Sequence, residues 1–333
     1  MKLRGDFCTT LGMRLPVVQA PIGSATTPQL VAAVSNAGGL GMLALTWMDD
    51  AEAGERIRET QSLTTRPFGV NLALQWPQRG RLAQCLEAGV PVISTFWGDP
   101  APYVELAHDA GALHIHTVGS AEEARRVVGA GVDVVVAQGW EAGGHVWGQV
   151  ATFPLVPAVV AAVHPVPVLA AGGIATGRGL AAAFALGAAA GWVGTRYLLA
   201  SEADVHPDYQ AAIAAATEAD TIYGTVFDGG WPDAPHRALR NSTVKAWELA
   251  GRPERGRRPG EADVLATTPD GTRLFRYGDD LPLRDRIGDV EPMALYAGQS
   301  TGLVHSVQPA DVITRELADE ADKVLAGLRG TRI

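Results

Sequence analysis

The sequence predicts an α/β protein with the (β/α)8 TIM barrel fold and a smaller, mostly helical capping insertion. Short apolar runs alternate with Ala-, Glu- and Arg-rich stretches of helical spacing along about the first 200 residues. This alternation favours a parallel sheet that is covered by helices. Because eight such units fit into that length, a closed barrel is favoured over an open doubly wound sheet.

The eight predicted strands are short, apolar and rich in β-branched residues. This composition is typical of strands that are buried on both faces, as in a parallel barrel. In chain order the predicted strands are Val17–Ala20, Leu40–Leu43, Phe68–Leu72, Val92–Thr95, Leu113–Thr117, Val132–Ala137, Val168–Ala171 and Gly191–Gly194.

Helices are predicted between these strands from the spacing of their apolar residues. Several end in Ala-Gly or Leu-Gly, where glycine supplies the left-handed conformation that terminates a helix. An amphipathic helix at Val312–Leu328 is expected to close the outer ring. The other predicted helices are Pro28–Ala37, Ala51–Thr60, Arg79–Ala88, Pro102–Ala110, Ala121–Ala130, Pro154–Val163 and Gly177–Leu186.

The strand–helix pattern ends near residue 205, and aromatic, proline- and arginine-rich sequence follows. We therefore assign residues 1–205 and 296–333 to the barrel and residues 206–295 to an insertion that caps the barrel mouth. The segment GRPERGRRPG, residues 251–260, is interpreted as a solvated loop, with phosphate binding by its arginines as the alternative. A doubly wound sheet, the alternative fold, would need GxGxxG after its first strand, where this chain has QAPIG.

Composition and charge exclude several classes of partner. The net charge is -9 and the pI is about 5.4, so no basic face for nucleic acid is expected. Two cysteines, Cys8 and Cys85, argue against a disulfide framework or a zinc site. No signal peptide is recognised, and no apolar stretch is long enough to span a bilayer. We expect a cytoplasmic protein without a membrane partner; its oligomeric state stays open, a homodimer included.

Glycines follow the seventh and eighth predicted strands, where barrels of this class usually bind phosphate. Strand seven runs into Gly172 and Gly173, and strand eight into Gly194 and Thr195. Glycine lets backbone N–H groups approach phosphate oxygens, and a helix N-terminus adds the positive end of its dipole. Tight turns without a ligand are the alternative. Because both expected strands carry glycines, the sequence predicts a phosphate site.

The loop after the sixth predicted strand carries the candidate catalytic residue. It reads QGWEAGGH from Gln138 to His145. Gln138 stands at the strand end and should point into the barrel mouth, and the paired glycines allow close approach to a planar ligand. A neutral histidine in a partly apolar pocket is a natural proton acceptor. His145 is therefore the predicted base, with an ordinary loop histidine as the alternative.

Further polar residues stand at or near strand ends. Asn71 interrupts the apolar third strand and offers both a donor and an acceptor, as the edge of a flavin ring requires, although it could also cap the next loop. Glu141 could orient His145 or pair with a nearby arginine, and the structural role is favoured. His114 and His116 share one strand face, but a metal needs a third ligand, so no metal site is predicted.

Together these segments resemble the nitronate monooxygenase family, formerly called 2-nitropropane dioxygenases, which is related to flavin-type enoyl-[acyl-carrier-protein] reductases. The EAGGH and AAGGI segments in this order are the specific part of the resemblance. The resembling pieces are residues 19–23, 38–41, 68–71, 138–145, 170–173, 187–188, 194–196 and 297–299. Residues 224–295 depart from the family pattern, which leaves the substrate pocket undefined.

The resemblance implies an FMN-dependent oxidoreductase that oxidises a small-molecule alkyl nitronate with O2. It implies that His145 is the catalytic base. It also implies that FMN is contacted by Asn71, Gln138, Gly143, Gly173, Trp192, Val193, Gly194 and Thr195.

Three other functions compete with this interpretation. A NAD(P)H-dependent reductase on the same scaffold, acting on enoyl thioesters or quinones, needs no GxGxxG and is not excluded by its absence. A flavin-free isomerase or lyase would want a lysine or paired carboxylates in the mouth. The only lysines, Lys2, Lys245 and Lys323, stand at no predicted strand end. A non-catalytic binding barrel would not explain the histidine–glycine loop.

Overall fold

The computed structural model describes residues 6–329 and contains the predicted barrel. Eight parallel strands close on themselves, with Val18 of the first strand opposite Trp192 of the last. They are β1 (Val17–Gln19), β2 (Leu40–Ala44), β3 (Phe68–Ala73), β4 (Val92–Phe96), β5 (Leu113–Val118), β6 (Val134–Gln138), β8 (Val168–Ala171) and β9 (Ala190–Val193). A short strand outside the barrel, β7 (Gly144–His145), lies in the loop after β6. The signal-peptide prediction rests partly on residues 1–5, which lie outside the described range.

The helices form the expected outer ring around the strands. Thr27, Asp49, Ser120 and Thr176 each accept a backbone N–H at a helix start, which explains where those helices begin. The ring consists of α2 (Pro28–Ala37), α3 (Asp50–Leu63), α4 (Arg79–Glu87), α5 (Ala101–Asp109), α6 (Ala121–Gly129), α7 (Thr152–Val163), α8 (Gly177–Ala185) and α11 (Ala310–Arg329). In the described part of the chain, no helix has the length and apolarity that a membrane span requires.

The N-terminal end of the barrel is closed by a short helix, α1 (Asp6–Thr10). Phe7 and Leu11 belong to one apolar cluster with Leu40, Val92 and other residues at strand starts. A second apolar layer lies between the strands and the helices. Since the bottom of the barrel is filled, the carboxyl ends of the strands form its open end.

The insertion differs from the prediction, because it is not mostly helical. Its two helices are joined by longer irregular segments and five short strands in two small antiparallel sheets. These elements are α9 (Pro207–Ala215), β10 (Thr221–Gly224), β11 (His236–Leu239), α10 (Ser242–Leu249), β12 (Val264–Thr267), β13 (Arg273–Phe275) and β14 (Ile287–Gly288). Strands this short show no recognisable alternation of apolar and polar residues in the sequence. They are fixed by partners that are distant in the chain, since β11 pairs with both β10 and β7.

His114 and His116 are fully buried on β5, on the face opposite the inward-pointing Thr117. The Thr95 hydroxyl lies 2.8 Å from Nε2 of His114 and 2.8 Å from Nδ1 of His116. Burial is the main cause that lowers the pKa of His114 to about 4 and that of His116 to about 3. Asp133 opposes the shift at His114, and Arg126 adds to the shift at His116. Both rings are therefore neutral packing residues.

These histidines should make the protein less stable as the pH falls from about 6.5 towards 4. In that window His114 and His116 bind protons in the unfolded chain but not in the folded protein, so unfolding becomes easier. The expected slope is about 1.4 kcal/mol per pH unit for each such histidine. Urea unfolding at pH 7, 6 and 5 measures it. His116→Gln should reduce the slope of the unfolding free energy against pH by about 1.4 kcal/mol per pH unit, the contribution of one proton. An equal slope in both proteins would contradict this explanation.

Candidate active site

A cavity of about 540 Å³ opens at the carboxyl end of the barrel. Its volume lies in the range of small-molecule and cofactor sites. Each of the eight barrel strands contributes a lining residue from its last three positions or from the position just beyond it: Ala20, Ala44, Asn71, Phe96, Thr117, Gln138, Ala171 and Trp192. The cavity therefore lies where active sites occur in this fold.

The two glycine turns predicted to hold phosphate lie side by side on the cavity wall. They follow neighbouring strands, since Ala171 of β8 pairs with Trp192 of β9. Gly172 and Gly173 have φ values of 100° and 71°, a backbone conformation that strongly favours glycine. Gly194 precedes a 3-10 helix, Thr195–Leu199. Two glycine turns thus border one cavity, where their backbone N–H groups could bind an anion.

Gly143 and Thr195 connect the loop after β6 to the chain that returns from the insertion. The Thr195 hydroxyl accepts the N–H of Gly298 at 3.0 Å. A Cβ atom at Gly143 would lie 2.4 Å from the Gly298 nitrogen and 2.6 Å from the carbonyl carbon of Ala297. Only glycine permits this approach. Gly143 therefore has a packing role in addition to lining the cavity.

Asn71 and Gln138 keep part of their hydrogen-bonding capacity for a ligand. The Asn71 Oδ1 accepts the Ser94 hydroxyl at 3.1 Å, which leaves the amide N–H groups of Asn71 available. The Gln138 amide donates to the His145 carbonyl at 3.2 Å, which leaves its own carbonyl oxygen available. Both side chains line the cavity and could bind the polar edge of a planar ring.

The structure corrects the expectation for Val193. Its side chain is 1% exposed and packs in the apolar layer between the strands and the helices. Trp192, the residue before it, lines the cavity. Successive side chains on a strand point to opposite faces, so Val193 could contact a ligand in the cavity only through its backbone.

His145 lies on the cavity wall and is held there by strand pairing. It forms β7, opposite His236 of β11. Burial, followed by the nearby His236, lowers its pKa to about 3, while the carbonyls of Ala234 and Pro235 act against this shift. Its Nδ1 is buried, so Nε2 is the nitrogen that can face the cavity. At neutral pH His145 is therefore an uncharged imidazole.

His236 was not identified from the sequence, and it supports His145 without facing the cavity. Its Nε2 accepts the N–H of Phe227 at 3.2 Å, and its Nδ1 lies 3.0 Å from the Ala234 carbonyl. These partners fit a neutral ring with the proton on Nδ1. Burial lowers the pKa of His236 to about 4, in agreement with that state.

An aromatic cluster, also missed by the sequence analysis, forms one side of the cavity. Trp231 of the insertion is 2% exposed, and its ring centroid lies 4.3 Å from that of His145 and 4.7 Å from that of Trp76. Trp47 and Phe96 also pack edge-on against Trp231. Trp47, Trp76 and Phe96 line the cavity, so the space beside His145 has an apolar wall.

Two further side chains fix the loop between Gln138 and His145. Both oxygens of the Glu141 carboxylate lie about 3 Å from the Thr152 N–H at the start of α7, which is the structural role expected for Glu141. Arg237 of β11 is buried, stacks at 4.3 Å on the Trp140 ring and donates to the Trp140 carbonyl. The insertion thus holds the loop that carries His145.

Comparison with known proteins identifies the family. The chain matches the family profile described as nitronate monooxygenase over residues 7–80 and 73–320. It belongs to the nitronate monooxygenase family. As a member, it is a flavin-dependent oxidoreductase.

Individual relatives carry different names. The chain is 38% identical to a Mycobacterium tuberculosis protein named (3aS,4S,5R,7aS)-5-hydroxy-7a-methyl-1-oxo-octahydro-1H-indene-4-carboxyl-CoA dehydrogenase, over 76% of this chain and 70% of that protein. It is 34% identical to the nitronate monooxygenase of Pseudomonas aeruginosa, over 67% of this chain and 77% of that protein. The solved structure of FabK from Thermotoga maritima is similar, with a TM-score of 0.80, 34% identity and 97% of each chain covered.

Gly143→Ala should destabilise the protein, because the added methyl group meets backbone atoms that cannot rotate away. An overpacked site of this kind costs about 1–3 kcal/mol. Chemical denaturation of the two proteins measures the difference. Gly80→Ala is the matched control, since Gly80 lies exposed in α4 and an added Cβ there has no described atom within 4 Å. Equal losses at both positions would contradict the close approach of Gly298.

Proposed function

We propose that the chain is an FMN-dependent nitronate monooxygenase, which oxidises alkyl nitronates with O2. The observation that carries this proposal is the neutral His145 on an apolar cavity wall, in the same cavity as two glycine turns. The family match and the relatives named nitronate monooxygenase support it. The proposed partners are a small-molecule substrate and O2, and the proposed location is the cytoplasm.

The residues at the mouth fit FMN. The turns at Gly172–Gly173 and Gly194–Thr195 would bind its phosphate through backbone N–H groups, since both turns line the cavity and the second one begins a 3-10 helix. The unused hydrogen-bonding groups of Asn71 and Gln138 would bind the edge of its ring. When bound, FMN supplies the redox chemistry, taking electrons from the substrate and passing them to O2.

The state of His145 favours an ionised substrate. A histidine whose pKa is lowered to about 3 is unprotonated at neutral pH and can accept a proton there, but it is a weak base. It therefore suits a carbon acid that arrives already deprotonated, as a nitronate does, better than a neutral nitroalkane. We assign His145 the role of orienting the reacting group within the aromatic wall and accepting a proton where one must be removed.

A second candidate is an oxidoreductase that acts on an acyl-CoA thioester. The aromatic wall formed by Trp47, Trp76 and Phe96 would give a larger substrate an apolar surface to pack on. Relatives from Mycobacterium tuberculosis and Rhodococcus jostii, 38% and 39% identical, are named as CoA dehydrogenases.

Anaerobic mixing of the FMN-loaded protein with candidate reductants distinguishes these functions. We expect propionate- or propane-derived nitronates to bleach the flavin absorbance, whereas NADH and NADPH should not. A saturated acyl-CoA tests the second candidate in parallel. Bleaching by a reduced nicotinamide alone would replace the proposal with a NAD(P)H-dependent reductase.

His145→Asn should keep the flavin but lower turnover of nitronates about 10²-fold, because one preorganised polar group beside the reacting atoms is lost. Steady-state oxygen consumption and the flavin-to-protein ratio measure the two effects separately. His305→Asn, at an exposed position outside the cavity, is the control. Unchanged turnover in His145→Asn would remove this residue from the mechanism.

The wild-type rate should show no step from His145 between pH 5 and 8, since the pKa of this residue lies near 3.

A further inference from the structure

The aromatic wall of the main cavity contains an indole ring that the protein leaves largely uncovered. Trp47 lines the cavity and is 55% exposed, although tryptophan side chains are usually well buried. Its ring meets those of Trp76 and Trp231 edge-on, with centroid distances of 5.6 and 6.3 Å. A large apolar side chain that stays in solvent inside a cavity is typical of a surface that binds a ligand.

The loop that carries Trp47 is anchored through the residue before it. The Thr46 hydroxyl accepts the N–H of Ala73 at 2.8 Å, and the side-chain amide of Gln78 donates to the Thr46 carbonyl at 3.4 Å. Thr46 and Gln78 are both buried. Because its backbone is held in this way, the exposed indole is preorganised, and a ligand that packs on it pays a smaller entropic cost than on a mobile loop.

The aromatic wall lies across the barrel mouth from the glycine turns. Trp47, Trp76 and Phe96 stand at the ends of β2, β3 and β4 or shortly after them, whereas the glycine turns follow β8 and β9. In the order of strands around the barrel, β3 is the third and β8 the seventh of eight, so they lie on opposite sides. With the phosphate of FMN at the glycine turns, as proposed above, the opposite side of the mouth is available to the substrate.

The charged residues of the same cavity disfavour a substrate with an acidic tail. Among the described lining residues, Arg286 is the only lysine or arginine, and it pairs with Asp285 at 2.6 Å. Asp279 and Asp280 also line the cavity, and neither forms an ion pair with a residue between positions 6 and 329. A tail that carries its own negative charge would therefore be repelled by two uncompensated carboxylates.

Asp279 stands beside the aromatic cluster. A Cβ atom at Gly230, the residue before Trp231, would lie 2.4 Å from Oδ1 of Asp279, so this carboxylate packs directly on the chain that carries the indole of Trp231. Burial raises the pKa of Asp279, and the carboxylates of Asp280 and Asp228 raise it further, while the N–H groups of Asp279 and Gly230 oppose the shift. Negative charge is thus already unfavourable at this wall, before any ligand binds.

We propose that the aromatic wall binds an uncharged aromatic or bulky apolar tail of the substrate, and that Trp47 determines this preference. Asp279 and Asp280 strengthen it by disfavouring tails that carry a carboxylate. This inference rests on the proposed function and narrows its substrate class, with the nitronate group near His145 and the tail on Trp47. Because all nitronates share the anionic head group, the tail alone distinguishes one nitronate from another.

Three carboxylates test the preference by binding alone, because a carboxylate is a planar, unreactive substitute for the nitronate group. 3-Phenylpropionate, butyrate and succinate replace the nitronates that carry a phenyl, a methyl and a carboxylate tail on the same two-carbon chain. Isothermal titration of the full-length, FMN-loaded protein should give the tightest binding for 3-phenylpropionate and the weakest for succinate.

Trp47→Ala should weaken the binding of 3-phenylpropionate about tenfold, because an aromatic contact and its buried apolar area are lost. Trp47→Phe should retain most of the affinity. Phe153→Ala is the matched control, since Phe153 is 71% exposed but does not line the main cavity. At pH 8, where ionisation of the carboxylate is favoured, Asp279→Asn should strengthen succinate binding several-fold relative to butyrate. Asp109→Asn, at an exposed position outside the cavity, is the control for charge.

Oxygen consumption with the three corresponding nitronates should give kcat/KM values in the same order as the affinities. Equal affinity of the wild type for 3-phenylpropionate and butyrate, unchanged affinity in Trp47→Ala, or an equal loss in Phe153→Ala overturns this proposal. A lower flavin-to-protein ratio in Trp47→Ala also overturns it, because the indole would then bind the flavin. Absence of turnover with all three nitronates would instead remove the proposed function, while the order of the affinities still decides the role of Trp47.

Discussion

The short pairing between β7 and β11 is the constraint on which the site depends. It places His145 opposite His236 and Gly144 opposite Arg237, so a loop of the barrel becomes part of a sheet of the insertion. Arg237 reinforces this join by stacking on Trp140 and donating to its carbonyl. Without the pairing, the QGWEAGGH loop would keep the hydrogen bonds of Gln138 and Glu141, but His145 would lose its strand partner in the insertion.

The same pairing sets the chemistry of His145. It brings Trp231 and His236 against the imidazole, and the resulting burial disfavours the charged form. The barrel alone would leave this histidine in a solvated loop, where imidazole titrates near neutral pH. The insertion therefore converts a pH-responsive residue into one that stays neutral across the physiological range.

The barrel and most cavity-lining residues could be predicted because their signals are local. Strand and helix periods, glycines after two strands and a histidine in a mouth loop are all visible in short windows of sequence. Trp231, His236 and Arg237 lie in a segment without period, and their partners are distant in the chain, so no local pattern indicated them. The alternation of side chains along a strand predicts that Val193 and Trp192 point to opposite faces, as they do. The resemblance covers residues 192–195 as one stretch and does not distinguish the two faces.

The chain leaves the barrel near residue 205 and returns near residue 296, and the hydrogen bond between Thr195 and Gly298 joins the barrel segments on either side of the insertion. The insertion is thus a segment whose two ends are held together by the barrel. Those parts of it that contact neither the QGWEAGGH loop nor the core can change in length and composition without moving either glycine turn, in the way that surface loops tolerate insertion. Sequence changes in this insertion could therefore alter which substrate is bound, while the glycine turns that would bind a mononucleotide stay the same.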